Sequence, residues 1–425
     1  MNMQSQKQTV PFTAYQKFVI LVLALTQFTI ILDFMVMSPL GDILMKSLSI
    51  TPSQFGIAVS SYAFSAGISG LLTAGFADKF DRKKLLLFFY TGFIIGTFLC
   101  GVVTTYPLLV GARIFTGLFG GVIGSISMAI VTDLFPIEQR GRTIGFLQMG
   151  FGASQVLGIP IGLYLANAWN WHAPFLWVAV MAAIVAVSIG IKLLPITKHL
   201  AVQHDKSAFA HLLHTVAKKE YRIGFTATAF LSIGGFMMMP FGSAFAINNL
   251  GITQKELPML FMIAGLSTLV VMPMIGKLSD KIDKYKIFAA ATIWMAILVV
   301  LYTNLGVTAL WLVIVYNILL MAGIMGRMVP STAMVSGIPV MQDRGAFMSI
   351  NASLQQIAGG AAAAIAGMIV VQKGKYSPLE HYNTVGYVVI CISAIALILM
   401  YRVSKVIKVK QPAKTKINVE AVEVV

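Results

Sequence analysis

Three charged residues sit deep inside otherwise apolar runs of this sequence: Asp33, Arg113 and Arg327. A charge near mid-bilayer costs roughly 2.5–3.5 kcal/mol on insertion scales, so each needs a partner or a task. Of the 15 acidic residues only Asp33 lies well inside a run; Asp42 and Asp133 fall at run ends, and no histidine lies within one. Counting along the helix axis puts Asp33 roughly 12 Å, and Arg113 roughly 9 Å, from the outer ends of their runs. An arginine side chain bridges that difference. Burial and a neighbouring guanidinium act on a carboxyl group in opposite senses, so a small change in their separation can load or release a proton. Asp33 is therefore expected as proton carrier, with Arg113 tuning it; the plainer alternative is a salt bridge that only fixes packing. Arg327 has no acidic residue at matching depth. It either binds an anionic group of a substrate or bonds carbonyls left without a donor near Pro330.

The elements that hold these residues are membrane helices. Hydrophobic residues make up 58% of the 425 positions and charged ones 11%, with a mean hydropathy of +0.84. A soluble domain carries about a quarter charged residues, so this chain is wetted by lipid. Spans of about 20 apolar residues fall near 17–44, 53–77, 85–104, 107–131, 143–166, 173–194, 223–248, 256–276, 286–303, 308–334, 346–371 and 385–403. The first is too long for a signal-peptide core and carries Asp33, so it reads as a helix that stays. Loops on the side of the termini hold 25 Lys and Arg against 4 on the other side, with Arg113 and Arg327 inside spans. By the positive-inside rule both termini are cytoplasmic, and the expected location is the cell's inner (plasma) membrane. The net charge of +16 thus records topology rather than nucleic-acid binding. Cys100 and Cys391, far apart and without metal-spaced partners, read as small core residues.

The chain repeats itself. Asp78-Lys79-Phe80-Asp81-Arg82 returns as Asp280-Lys281-Ile282-Asp283-Lys284, offset 202, and Pro136, Gln139, Arg140 and Gly141 return as Pro339, Gln342, Arg344 and Gly345, offset 203–204. Two six-helix halves in parallel repeat around a central cavity are expected: 1–194 and 223–403, with a cytoplasmic linker at 195–222 and a basic tail at 404–425. At these residues the chain resembles the major facilitator superfamily. Its G-x-L-x-D-R-x-G-R-R loop is matched by Asp78, Lys79, Arg82 and Lys83, with Ala74 and Asp81 at the glycine positions. In the second half Gly276, Leu278, Asp280, Lys281 and Lys284 match, with Asp283 for glycine. Arg113 and Gly117 resemble the family's R-x-x-x-G. Gly158-Ile-Pro160-Ile-Gly162 and Trp171-His172-Ala-Pro174-Phe175 resemble motifs of its proton-coupled sugar and drug efflux branch, with His172 where arginine is usual. The resemblance implies an all-α fold, helices 1 and 4 lining a cavity, and efflux.

The charged loops, Asp78 with Arg82 and Asp280 with Lys284, read as a cytoplasmic gate latch, the alternative being topogenic charge alone. Gly158, Pro160 and Gly162 permit a bend or a close helix contact in helix 5. Candidate cavity residues are the intramembrane polar groups Gln27, Gln148, Gln155, Asn317, Asn351 and Gln355, with Arg327. Phe34, Met237, Met238, Met239 and Phe241 are candidate apolar padding. No H-E-x-x-H, G-x-S-x-G, phosphate-binding loop or metal-spaced Cys/His set is present, so neither an enzyme nor an ATP-driven pump is expected, and no cofactor or metal is called for. The expectation is a monomeric secondary transporter whose partners are protons, a small amphipathic drug or sugar-like solute and the bilayer. The alternatives are uptake or exchange of a small organic anion, and a solute sensor on the same scaffold.

Overall fold

The computed structural model of the chain describes residues 11–73, 77–201 and 208–410. Among them are twelve helices long and apolar enough to span a membrane: α1 (Ala14–Val36), α2 (Pro52–Thr73), α3 (Arg82–Cys100), α4 (Tyr106–Leu134), α5 (Ile137–Ala168), α6 (Ala173–Lys192), α7 (Lys219–Asn248), α8 (Leu257–Lys281), α9 (Lys284–Thr303), α10 (Leu310–Val335), α11 (Arg344–Ile369) and α12 (Tyr382–Val409). Only helices satisfy every backbone group within a single segment, and hydrocarbon offers no other partner.

Proline explains where the helices depart from the expected spans. The first run does not continue as one helix to 44: α1 ends at Val36, and after a turn at 37–40 a short helix, Gly41–Leu48, follows. Pro39 in that turn lacks an N–H and its ring crowds the preceding turn. Pro240 sits at the equivalent place in the second half and leaves a 3₁₀ segment, Met239–Phe241, inside α7. In α5 a π segment, Ser154–Gly158, absorbs Pro160 just beyond it. Asp81 and Asp283, standing where the resembled family has glycine, have φ of −55° and −52°, so neither needs left-handed backbone. Each caps the helix that follows, Asp81 accepting from the amide of Lys83 and Asp283 from that of Tyr285, both at 2.8 Å. The cap satisfies amides that a helix start leaves unpaired.

The halves α1–α6 and α7–α12 meet along two seams. Helix α2 runs antiparallel to α11, and small residues bring the backbones together: a Cβ on Gly56 would stand 2.7 Å from the carbonyl oxygen of Ala363, and one on Gly67 2.8 Å from that of Ser353. On the other side α5 meets α8 at Gly265, whose Cβ would lie 3.0 Å from the Gln155 carbonyl.

The buried core shows how the two ends of the molecule differ. At the face away from the termini one continuous cluster joins both halves, running from Phe28, Leu32 and Val36 to Met237, Phe241 and Phe245. At the basic face, which carries the charged loops, there are two separate clusters. One is centred on Leu86, Tyr90 and Ile126, the other on Phe225, Phe288 and Phe347. The core is shared by the halves at one end and divided at the other, where Leu71 of α2 still packs against the second-half cluster.

The linker leans on both halves at the basic face. The amide of Ile196 donates to Asp81 Oδ1 at 3.0 Å, and His211 on the helix Ala208–Ala217 stands 3.7 Å from Asp343. Residues 202–207 of the linker and 411–425 of the tail lie outside the described residues.

Candidate functional site

Helices α1 and α4 bring Asp33 and Arg113 into contact. Arg113 Nη1 donates to Asp33 Oδ2 at 2.8 Å and, at 3.4 Å, to the Asp33 carbonyl. Both side chains are fully buried. The guanidinium also lies over the Tyr62 ring of α2, 4.4 Å from its centre, the geometry of a cation–π contact. The ion pair is held at a single point. Asp33 Oδ1 and the Nε and Nη2 atoms of Arg113 make no hydrogen bond of normal geometry, although the Thr97 hydroxyl of α3 interacts with the carboxylate and Cys100 with the guanidinium. The second carboxylate oxygen stays off the guanidinium and keeps a place for a proton, whereas a two-point fork would use both oxygens.

Beside the pair, at the closed end, lies a small apolar recess between the halves, lined by Phe34, Val59, Ala63, Phe236, Met239 and Gly359. Phe34 packs at a tilt against Tyr62 (5.4 Å between ring centres) and edge-on against Phe236 (6.1 Å), so one ring touches the arginine's partner and the opposite half. Gln27 is half-buried on α1, its Nε2 facing Gly124 of α4. Gln155 is half-buried in the π segment at the α5–α8 seam, and Gln148 and Gln355 are exposed. Asn351 accepts from Thr228 of α7 at 2.7 Å, while Asn317 bonds back to its own helix at Val313. Met237 and Phe241 do not line the recess; both are fully buried in the joined core, because the break at Pro240 turns them inward. Cys391, expected in a core, is exposed, while Cys100 is buried.

Gly158 and Gly162 let α5 lie on α1. A Cβ on the first would meet Leu32 at 2.7 Å and one on the second Val36 at 2.9 Å. Of the loop charges, Arg82 is buried and donates to Asp133 at 3.2 Å and to the Ala77 carbonyl at 3.0 Å. Lys284 donates to the Ser279 carbonyl at 3.3 Å, and Asp280 is exposed. These contacts stay within a half. The Asp78 side chain lies outside the described residues.

Arg327 does not bond carbonyls near Pro330. Its Nη1 points to the Met295 sulfur of α9 at 3.1 Å, its guanidinium is 5.9 Å from the Phe288 ring centre, and Nε and Nη2 have no partner.

Two arrangements left little or no trace in the sequence. Tyr62 is one, since an aromatic residue in an apolar helix carries no signal of its own. The other is a polar knot that ties the halves at the closed end. Buried Asp42 accepts from Lys46 (2.8 Å), from Asn248 of α7 (2.6 Å) and from Gln254 (3.3 Å). Lys46 reaches Asn248 as well, at 3.2 Å. Ser38 donates to the Met239 carbonyl and Ser243 to that of Ser38 at 2.8 Å. The i,i+4 spacing of Asp42 and Lys46 was the only sequence trace of this knot.

The Major Facilitator Superfamily model matches the chain twice, over residues 23–222 and 223–423. The uncharacterized MFS-type transporter YceJ of Bacillus subtilis is 30% identical over 148 residues, 35% of this chain and 38% of that protein. The matched stretch is thus well under two thirds of that relative's length. A probable sugar efflux transporter of Helicobacter acinonychis is 23% identical over 307 residues, 68% of this chain and 76% of the relative. Among solved structures, a D-xylose–proton symporter superposes with a TM-score of 0.75 at 17% identity, covering 92% of this chain and 99% of the symporter. At that identity the likeness concerns the fold.

Proposed function

The chain belongs to the major facilitator superfamily, and we propose that it is a secondary transporter exporting a small amphipathic solute in exchange for protons. The observation that carries the reading is the fully buried contact between Asp33 and Arg113, made through one carboxylate oxygen between α1 and α4. With 25 basic residues on the terminal side, that face is the cytoplasmic one in the plasma membrane. The state described above is then open inward. The units 1–194 and 223–403 act as the rocking bodies about the α2–α11 and α5–α8 seams, in a monomer, with 195–222 and 404–425 as linker and tail.

In that scheme cargo enters from the cytoplasm and rests beneath the recess at Phe34 and Phe236. Rocking breaks the knot at Asp42 and admits water to Asp33 from outside. A proton taken up on the second oxygen weakens the hold of Arg113, favours return to the inward state and is released there. The charged loops at Arg82, Asp78, Asp280 and Lys284 close across the halves only when the cytoplasmic end shuts. The efflux direction is supported by the helix-5 glycine–proline pattern and by the name of the Helicobacter relative.

The test is transport in proteoliposomes under an imposed pH gradient, screening labelled sugars, neutral amphipathic drugs, cationic dyes and organic acids, with wild type beside Asp33→Asn. Proton-driven movement of an amphipathic compound by wild type alone is the expected result. Full proton-driven transport by Asp33→Asn would remove Asp33 from the mechanism.

A further inference from the structure

The second buried arginine differs from the first in one respect: nothing balances its charge. The acidic residues of 223–403 are Glu256, Asp280, Asp283, Asp343 and Glu380, all in loops or at helix ends. The α7 residue related to Asp33 by the 203-residue offset is Phe236. Arg327 is nonetheless only 4% exposed. It is enclosed by Met295 and Phe288 of α9, Gly234 of α7 and, beyond that glycine, Ile392 and Ser393 of α12. A bare buried cation costs several kcal/mol, and a thioether sulfur with one aromatic ring is a weak return for it.

The unused atoms are not scattered. Nε and Nη2 lie side by side on one edge of the guanidinium, the edge whose two N–H groups match the two oxygens of a carboxylate. The wall next to that edge carries no side chain at Gly234. A Cβ placed on Gly234 would be 3.8 Å from Nη2, 3.5 Å from Ile392 and 3.6 Å from Ser393, ordinary contact distances, so the gap beside this edge is about the size of a methyl group. Gly235, next along α7, has nothing within 4 Å of its side-chain direction, and Phe236 beyond it lines the recess between the halves.

We propose that Arg327 is the counter-charge of a monoanion site in the second half, open to a carboxylate carried by the cargo or to a small inorganic anion such as chloride. It deepens the transport reading by assigning the cargo, or a companion ion, one negative charge. It rests on that reading only for the word cargo, since the site binds whether or not protons drive movement.

Binding is read by thermal melting of the purified full-length protein in detergent, in a buffer whose only other anion is a bulky sulfonate. Benzoate is the carboxylate probe, benzamide its neutral isostere and chloride the inorganic probe. A rise in melting temperature with benzoate but not benzamide supports the site with a carboxylate as occupant; a rise with chloride alone supports it with an inorganic anion. In either case Arg327→Gln weakens the response at least tenfold in concentration. Gly234→Asp supplies a resident carboxylate, so it melts higher without ligand and loses the response, and it keeps the test alive should Arg327→Gln not fold. Asp33→Asn retains the response, which separates this site from the proton pathway. No response from wild type to either anion, or a response that survives Arg327→Gln or Gly234→Asp, overturns the proposal.

Discussion

Replacing Asp42 by alanine should move the protein out of the state described here. The carboxylate accepts from Asn248 and Gln254 across the boundary between halves and from Lys46 within its own half. Only the first two oppose separation. A hydrogen bond to a charged group contributes about 1.5–3 kcal/mol net; the 2.6 Å bond to Asn248 belongs in that range, and the 3.3 Å bond to Gln254 adds less. Together they favour closure by about 2–4 kcal/mol, a factor of roughly 30 to several hundred in the equilibrium between states. If the other state is near 1% populated in wild type, the low end of that range raises it to roughly a quarter. Paired spin labels report it: one pair at exposed Ile137 and Val340 on the basic face, another at exposed Thr51 and Val307 on the opposite face, with Cys391 replaced by serine. In Asp42→Ala a fraction of molecules should show the first distance shortened and the second lengthened. Asn248→Leu should do the same, and the double variant should add little to either. Unchanged distance distributions, or effects of the two substitutions that simply add, would refute the assignment of this knot as the restraint.

Other substitutions probe the remaining contacts. Asp33→Asn leaves Arg113 charged and unpaired in the bundle, so melting in detergent should show a loss of roughly 3–5 kcal/mol, with much of it recovered when Arg113→Met is added. Gly158→Leu drives α5 off Leu32 and should lower stability by about 1–3 kcal/mol, whereas alanine at Gly141, which has nothing within 4 Å, should be tolerated. At the basic face Lys218 and then Tyr221 hold the Asp343 carboxyl below its ordinary range through their hydrogen bonds. A carboxylate so lowered contributes docking that is complete above its unfolded value of about 4 and is lost as pH falls through the lowered value. Protection factors, the intrinsic over the observed exchange rate, in the linker helix Ala208–Ala217 should therefore hold level down to about pH 5 and fall in stronger acid, and Asp343→Asn should abolish that fall.

The spans were legible because twenty apolar residues in a row have few other uses, and the Asp33–Arg113 contact because depth in a helix is counted in steps of 1.5 Å. What hydropathy cannot show is which side of a helix faces inward when every side is apolar. Cys391 on α12 was misread for that reason. Pro39 and Pro240 were visible, but membrane helices tolerate proline, so their effect depends on neighbours. The tie between Asp42 and Asn248 joins residues about two hundred positions apart, beyond any local pattern. Asp81 and Asp283 looked like departures from a glycine motif, when the position asks for a cap and an aspartate supplies it.

In the proposed transport scheme, the division of the core at the basic face gives the protein a larger footprint in that leaflet than in the other. Passing to a state open on the opposite side would exchange that footprint between leaflets. Lateral pressure then acts on the equilibrium directly: lipids that crowd the headgroup region on the basic face press the splayed ends together, and those that relax it hold them apart. The same protein in bilayers of different spontaneous curvature should rest in different proportions of its two shapes, with no change in any residue.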